Sequence, residues 1–326
     1  MSLPDEPFEQ WLAQAAGRLA QRLPTQATTP GFYLHFGADY PLPGLFDSPP
    51  NTIPLDDLLP GLPQGPNLDG IPPALLAGLC HGVPVLAAIG NRRVAEGHGH
   101  RIPLFPTALA AFMGIRNHLF LDTAVSLSPD FKIGKWGMLT DFACDFSFSP
   151  LEGLHHLLPT PFPDLSQTLD QAQNAEVINA LAEFGDPPRL CTYHGIPGFH
   201  LPTPAEANRA RRDGGDFLGH DLVLHLILAH AWGCRVSALA LAGLQLLPGS
   251  QIRSCREEML ETGRLCSPQL QRGLRKAIRE MADAAQGYKV NLLPDADADE
   301  LLRESIRQSA TRSSPLKAFL KRRDTP

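Results

Sequence analysis

The chain has 326 residues, of which 43% are hydrophobic and 19% are charged, a balance that supports a packed core and argues against global disorder. Its net charge of −6 lacks the basic excess of nucleic-acid-binding proteins, so we expect small molecules or proteins as partners and no nucleic acid. No basic region followed by an apolar run marks a signal peptide, and no apolar run reaches the roughly 20 residues that span a bilayer. We therefore expect a cytoplasmic protein with no membrane partner. Its six cysteines include no C-x-x-C pair and are expected to be reduced thiols.

The first third of the chain predicts one helix and two strands. Apolar residues at helical spacing between positions 8 and 19 predict an amphipathic helix, and short apolar runs predict strands at 31–38 and 83–89. Residues 41–73 are rich in Pro, Gly and Asp, so we expect them to be mostly irregular. A loop of that length in a folded domain usually forms or covers a site.

The remaining sequence alternates between the two patterns. Helices are predicted at 106–113, 169–184 and 222–232, and Pro204 opens a further helix with Thr203 as its N-cap. Strands are predicted at 118–125, 136–142, 190–193, 216–219 and 235–241. From about residue 253 the sequence becomes helical and charged and ends in a basic tail.

Alternating helices and strands predict an α/β fold with a mixed, largely parallel sheet. No composition shift marks an internal domain boundary. The predicted organisation is an N-terminal helix in residues 1–30, one α/β domain in 31–290 and a helical, basic tail in 291–326.

Several common site signatures are missing from the sequence. There is no phosphate-binding P-loop, no G-x-G-x-x-G and no G-x-S-x-G nucleophile elbow. Among the twelve histidines, His98 and His100 could chelate together but lack a third ligand, and residues five apart on a helix, such as His225 and His230, point in different directions. We predict no metal site and no cofactor.

Four segments, in order, resemble the trimeric purine nucleoside phosphorylase family. The first segment begins with E-G-H at 96–98 and continues through the P-L-F-P helix, M-G-I-R, a strand and L-S-P-D-F-K-I-G-K. The family has the corresponding order E-G-Y, a helix, L-G-V, a strand and L-N-P-x-F-x-V-G-D. Later, G-F-H-L-P-T-P-A-E from 198 is similar to G-P-N-F-E-T-P-A-E. G-D-F-L-G-H-D from 215 and G-C-R-V from 233 are similar to the family's G-A-D-A-V-G-M-S and G-L-R-V. The resemblance covers roughly residues 30–285.

This resemblance implies a mixed sheet folded into a distorted barrel, flanked by helices, in a homo-oligomer that is a trimer or a dimer. It implies a nucleoside-like small molecule as ligand. The family's reaction cleaves a purine–ribose bond with phosphate, which requires donors for the phosphate, a polar pair for the purine and contacts to the ribose.

The residues that should bind phosphate depart from the family pattern. Where the family has a serine after glycine, this chain has Ala38 and Asp39, and where it has arginine and histidine, this chain has Asn91 and Arg93. The family serine after G-M corresponds to Asp221. Carboxylates repel the phosphate dianion, so these changes argue against phosphate as a co-substrate, although Arg92 and Arg93 offer a compensating charge.

The base and sugar positions depart as well. Pro202 replaces the family glutamate, Leu244 replaces an asparagine with Gln245 beside it, and Asp122 replaces a second asparagine. In the sugar region Ala95 replaces a tyrosine and His220 a methionine, while Glu96 matches. We predict that His200, Asp122 or Gln245 contacts the base, with packing and solvation as the alternative role for these positions.

Two functions follow from the departures, and a third is the family's own. In the first, the protein cleaves an N-glycosidic bond with water, using Asp39, Asp221 or Glu96 as general base and His220 or His200 to assist departure of the base. In the second, the fold serves binding or assembly without catalysis. In the third, Arg92 and Arg93 rearrange to support ordinary phosphorolysis.

Overall fold

Helices and strands alternate along most of this computed structural model, which describes residues 7–23, 30–37, 40, 42, 44–198, 200–249 and 256–284. The helices are α1 Phe8–Arg22, α2 Leu55–Leu58, α3 Arg101–Phe112, α4 Gln171–Ala182, α5 Pro204–Arg212, α6 Leu222–Ala231 and α7 Arg256–Ala284. The strands are β1 Phe32–Phe36, β2 Asn51–Pro54, β3 Ala74–Cys80, β4 Val83–Ile89, β5 Asn117–Ser126, β6 Trp136–Cys144, β7 Arg189–Gly195, β8 Phe217–Gly219 and β9 Arg235–Gln245.

In the described part of the chain, nine strands form one sheet in the order β2-β3-β4-β1-β5-β8-β7-β6-β9. Strand β9 also pairs with β5, so β5, β8, β7, β6 and β9 close into a barrel from which the other four strands extend. Parallel pairs such as β1–β5 and β5–β9 occur beside antiparallel pairs such as β5–β8 and β6–β9. The predicted α/β fold, with a mixed sheet forming a distorted barrel, is confirmed.

The sheet has a hydrophobic core on each face. Helices α1, α3 and α6 pack on one face, and α4 and α7 pack on the other. Strand β9 shows the underlying alternation, because Val236, Ala238 and Ala240 face the first core while Leu239 and Leu241 face the second. Burial on both sides explains why this strand reads as a continuous apolar run.

Three elements differ from the sequence prediction. Strand β3 was not predicted, because its A-L-L-A-G-L-C sequence lacks both alternation and β-branched residues. Helix α3 begins at Arg101, not at the predicted position 106, and includes Pro106 inside the helix. The region 41–73 is mostly irregular, as predicted, but contains β2 and α2.

The predicted start of α5 is confirmed in detail. The hydroxyl of Thr203 accepts a hydrogen bond from the Glu206 N–H at 3.2 Å, and the Glu206 carboxylate accepts the Thr203 N–H at 2.8 Å. This reciprocal arrangement is a capping box, with Pro204 in the first turn. It fixes the end of the loop that approaches the site from Ile196.

Helix α7 corresponds to the first part of the predicted helical C-terminus and packs on α4. The predicted basic tail 291–326 and the candidate base Asp39 lie outside the described residues. Within those residues, no helix has the length and apolar character needed to cross a membrane.

Candidate functional site

The candidate site lies where β1 ends against the middle of β5. The Gly37 N–H donates to the Leu121 carbonyl oxygen at 2.7 Å, which places Gly37 beside the buried side chain of Asp122. A Cβ atom at Gly37 would lie 2.6 Å from Asp122 Oδ1, and one at Gly219 would overlap the Tyr193 hydroxyl. Both glycines therefore allow backbone to approach the polar groups of the site closely.

Of the two arginines that the sequence singled out, Arg92 has a structural role. Its guanidinium donates to Glu96 Oε2 at 2.8 Å and to the backbone carbonyls of Pro63, Gln64, Gly65 and Pro66 at 2.7–3.2 Å. Its side chain is only 7% exposed. Arg92 thus anchors the irregular segment around residues 63–66 with both terminal nitrogens of its guanidinium.

Glu96, the one sugar-site residue that matched the family, is engaged on both carboxylate oxygens. Oε2 accepts from Arg92, and Oε1 accepts the Arg93 N–H at 2.8 Å. Its side chain is 5% exposed. A general-base role for Glu96 would require it to break this buried pairing.

Arg93 lies at the centre of the site. It donates to the Gly37 carbonyl oxygen and lies 3.6 Å from the Asp69 carboxylate. Burial lowers the pKa of Arg93, but the surrounding carboxylates outweigh that effect and raise the pKa above its ordinary value. These carboxylates belong to Asp122, Asp69 and Asp221. The buried Nε atom of Arg93 has no hydrogen-bond partner among the described residues.

The side-chain carboxylates of Asp122 and Asp221 are also buried beside Arg93. Asp122 Oδ2 accepts a 2.6 Å hydrogen bond from the hydroxyl of Tyr193, whose pKa is raised well above its ordinary value by burial and by the Asp122 charge. Asp221 Oδ2 accepts the Val94 N–H at 2.9 Å. Burial raises the pKa of Asp221, although Arg93 and the Val94 hydrogen bond act in the opposite direction. Tyr193 gave no sequence signal, because nothing in β7 distinguishes it from a core residue.

His220 and His200 lie on the side of the site that faces the 196–203 loop. His220 Nδ1 is 3.2 Å from the Ile196 carbonyl oxygen, so Nδ1 carries the proton and Nε2 is an acceptor in the neutral ring. Burial lowers the pKa of His220 and favours this neutral form. His200 is more exposed and lies 3.5 Å from Glu206.

The side-chain amide nitrogen of Gln245 is occupied by hydrogen bonds to the backbone. Its Nε2 atom donates to the carbonyl oxygens of Ser128 and Phe131, both at 3.1 Å. The side chain holds the loop after β5 against the end of β9. Of the predicted base contacts, the structure therefore brings together Asp122 and His200, with His220 beside them, and places Gln245 in a structural role.

Two buried histidines that sequence reasoning did not select lie under Arg93. His35 of β1 and His225 of α6 have ring centroids 4.1 Å apart, and both line the same cavity as Asn91, Arg93 and Asp221. Burial lowers the pKa of His225 to about 3 and lowers that of His35 well below its usual range. Their apolar sequence surroundings gave no signal of a site, since a lone histidine in such a run is usually a core residue.

The site contains two small cavities that share Arg93 and Asp122. The inner cavity, beside His35, Asn91 and Asp221, has a volume of about 20 Å³. The outer cavity, beside His200, His220 and Met259, has a volume of about 60 Å³. Residues 199 and 250–255 precede the cavity-lining residues His200 and Arg256 in the sequence and lie outside the described residues.

No group of three or more His, Cys, Asp or Glu side chains among the described residues is arranged to hold a metal ion. His98 and His100 do not form such a group, and the His100 ring stacks on Phe148 at a centroid distance of 5.0 Å. His225 and His230 are separated as well, since His230 Nε2 donates to the Asp164 carbonyl oxygen.

Residues 74–279 match the family model of the phosphorylase superfamily. The chain belongs to the phosphorylase superfamily. Among curated relatives, purine nucleoside phosphorylase 1 of Bacillus subtilis is 25% identical over 55% of this chain and 67% of its own length. The purine nucleoside phosphorylase of Bos taurus is 24% identical over 65% of this chain and 76% of its own length.

Solved structures of this superfamily share the fold. The Schistosoma purine nucleoside phosphorylase in complex with hypoxanthine superposes with a TM-score of 0.72 at 21% identity, over 83% of this chain and 97% of that chain. The Schistosoma mansoni enzyme in complex with inosine gives the same TM-score at 22% identity. The resemblance found in the sequence is therefore confirmed at the level of family and fold.

Proposed function

We propose that this superfamily member hydrolyses the N-glycosidic bond of a nucleoside-like small molecule, with water where the phosphorylases hold phosphate. One observation supports this most strongly. The inner cavity is lined by Gly37, Asn91, Arg93 and Asp221, the region that the resemblance assigns to phosphate, and its volume is about 20 Å³. A buried water needs roughly 10–15 Å³, whereas phosphate has several times the heavy atoms of water.

The charges around the inner cavity support water over phosphate. Arg92 and Arg93 both line the inner cavity with Asp122 and Asp221, but the guanidinium of Arg92 is already paired with Glu96 and with backbone carbonyls. Arg93 is therefore the main counter-charge to the two carboxylates. A phosphate dianion there would face net repulsion. A water molecule would instead have the polar side chains of Asn91, Arg93 and Asp221 as neighbours in that cavity.

Asp221 is the general base in this proposal. Burial raises the pKa of its carboxyl group, and a base is most effective when its pKa approaches the working pH. Its Oδ2 atom is fixed by the Val94 N–H, so the side chain has a defined orientation at the start of α6. Water would transfer a proton to Asp221 while its oxygen bonds to the anomeric carbon and the glycosidic bond breaks.

His220 has a different role from the one that the sequence suggested. Because its Nδ1–H donates to the Ile196 carbonyl, the neutral ring offers Nε2 as an acceptor and cannot itself supply a proton to the departing base. We propose that His220, at the outer cavity with Asp122 and His200, recognises an N–H or amino group of the base.

A nucleoside panel incubated with and without phosphate, and read by chromatography for free base and free sugar, tests this function. We expect release of free sugar at a rate that does not depend on phosphate, and loss of turnover in Asp221→Asn. The matched control is Asp213→Asn, which changes an exposed carboxylate at the end of α5 and should retain turnover. Phosphate-dependent formation of a sugar phosphate would refute the hydrolytic proposal.

A specific observation favours a second candidate, a non-catalytic binding or assembly role. The outer cavity of about 60 Å³ is well below the roughly 300–1,000 Å³ of typical ligand pockets. This candidate predicts that no nucleoside is cleaved, with or without phosphate, and that a free base or a protein partner stabilises the fold. Light scattering on the purified protein would test the homo-oligomer that we also propose, and turnover abolished by Asp221→Asn would exclude the non-catalytic role.

A further inference from the structure

A chain of hydrogen-bonding groups joins the two histidines beneath the inner cavity. His35 Nδ1 lies 3.2 Å from the Tyr33 hydroxyl oxygen, which lies 3.3 Å from Thr107 Oγ1. Thr107 Oγ1 in turn lies 2.8 Å from His225 Nδ1. All four side chains are buried, with Tyr33 and Thr107 fully enclosed. The four groups therefore form one buried chain of contacts.

One nitrogen of each imidazole ring makes no hydrogen bond within this chain of groups. Nδ1 of His35 and Nδ1 of His225 face the two hydroxyls, and both rings line the inner cavity. The remaining nitrogen of each ring, Nε2, takes no part in this chain of contacts, and we place it toward the cavity that both rings line. Both rings are neutral, because burial disfavours the imidazolium form and lowers both pKa values.

The hydroxyls couple the tautomers of the two rings. A hydroxyl donates one proton, so the chain can run in only two directions. If His35 Nδ1–H donates to Tyr33, then Tyr33 donates to Thr107 and Thr107 donates to His225 Nδ1. His35 then presents a bare Nε2 to the cavity, and His225 presents Nε2–H. In the reverse direction these two roles exchange.

We propose that His35 and His225 form a tautomer-coupled pair that relays a proton across the inner cavity. Its catalytic use rests on the proposed hydrolysis. Asp221, protonated by the attacking water, passes that proton to the bare Nε2, and three shifts pass a proton along Nδ1, Tyr33, Thr107 and the second Nδ1. The second Nε2 then releases its proton to water that enters the cavity, and the departed base takes up a proton from solvent. No net charge enters the core, and the pair ends in the opposite tautomeric state.

The geometry indicates which link is the weakest. The two contacts of the Tyr33 hydroxyl, at 3.2 and 3.3 Å, are longer than the common hydroxyl hydrogen-bond length of about 2.7–2.8 Å, whereas the link from Thr107 to His225 is within the normal range. Thr107 is the better position for a test, because valine has nearly the same shape and removes only the hydroxyl.

Nitrogen-15 NMR of the histidine rings tests the pairing without requiring activity. In the native protein we expect His35 and His225 to be neutral and to hold opposite tautomers, or to exchange between the two opposite assignments. Thr107→Val should uncouple them and Thr107→Ser should preserve the coupling. His118 and His220 serve as internal references, because the Ile115 and Ile196 carbonyls fix their protons on Nε2 and Nδ1, respectively. Two identical tautomers, or an imidazolium at neutral pH, would overturn the pairing.

A kinetic arm tests the relay itself. On a nucleoside that the native protein cleaves, Thr107→Val should lower kcat about 100-fold with little change in KM, since general acid–base groups typically contribute factors of this size. Thr107→Ser should restore kcat. If the tautomers are coupled in the native protein but Thr107→Val leaves kcat unchanged, the relay is overturned and the hydrolysis still stands. Absence of any cleavage by the native protein would overturn the hydrolysis and its relay, while the NMR result would still decide whether the pair is coupled.

Discussion

Arg92 and Arg93 are neighbours in sequence, yet the two arginines have opposite relationships with their surroundings. Arg92 is paired with Glu96 and donates to four backbone carbonyls. Arg93 lies among three carboxylates and retains a buried Nε without a partner among the described residues. The first environment fixes its guanidinium through many hydrogen bonds, and the second holds its guanidinium chiefly through charge.

This difference supports the proposed loss of phosphate binding on a retained scaffold. Arg92, one of the two arginines available to bind phosphate, instead fixes the irregular segment at 63–66. Arg93 has the carboxylates of Asp122, Asp69 and Asp221 around it, and Asp69 is also paired with Arg256. Carboxylates therefore outnumber guanidinium groups there, and an additional anion is attracted poorly. Residue type alone does not separate the roles of Arg92 and Arg93; the number of hydrogen bonds that each makes to the protein does.

The largest expected effect comes from breaking the complete environment. Arg92→Met should lower the free energy of unfolding by about 3–5 kcal/mol, because it leaves the Glu96 carboxylate buried without its cation. Urea unfolding of the two proteins measures this difference. The double variant Arg92→Met with Glu96→Gln should recover part of the loss. A change below about 1 kcal/mol, as for an exposed ion pair, would contradict the structural role.

A smaller effect is expected where Tyr193 meets Asp122. Tyr193→Phe should lower the free energy of unfolding by about 1–3 kcal/mol, because the Asp122 carboxylate loses a buried donor. The same substitution in an Asp122→Asn background should cost less, which isolates the pairwise contribution. Equal costs in the two backgrounds would show that the hydrogen bond does not carry the effect.

The buried histidines make stability depend on pH. Burial lowers the pKa of His118 to about 3, so in acid the unfolded chain binds a proton at this residue that the native protein does not. Stability is therefore complete above the unfolded histidine pKa of about 6.5 and falls as the pH decreases below it. His118→Phe should reduce the slope by about 1.4 kcal/mol per pH unit between pH 4 and 6, roughly one proton's worth. An unchanged slope would mean that His118 titrates alike in both states.

The smallest effect is expected at Asp221, and it has the opposite sign. Burial raises the pKa of this carboxyl group, so its ionisation at neutral pH disfavours the native state. Asp221→Asn should therefore be slightly more stable than the native protein at pH 7, since the amide oxygen can still accept the Val94 N–H. The difference should vanish as the pH falls below the ordinary aspartate pKa. Destabilisation at pH 7 would show that Asp221 is stabilised as an anion.

Much of the fold was predictable from the sequence, because helical and strand periodicities and the ordered resemblance were both informative. Strand β3 was not, because its residue types favour a helix as much as a strand. The closure of the barrel by β9 against β5 was implied only by the resemblance, since strand pairing depends on contacts distant in sequence.

The candidate site was predictable only in part. Asp122, Asp221, Arg93 and His220 were selected because they replace residues at known positions, and the structure places them together. Gln245 and Arg92 were selected because they lie next to such positions, but their side chains are occupied by backbone carbonyls, which the sequence does not show. His35 and Tyr193 were missed because the sequence cannot distinguish a buried polar network from ordinary packing, and His225 was considered only as a metal ligand.

We propose that the phosphate region has contracted around Arg93, Asp122 and Asp221 to a space the size of a water molecule. Titration of the protein with inorganic phosphate, followed by ³¹P NMR and by thermal unfolding, tests this contraction. The contracted site predicts no saturable line broadening and no phosphate-dependent rise in Tm beyond that given by chloride at equal ionic strength. Saturable binding of one phosphate per chain, lost in Arg93→Met, would contradict it.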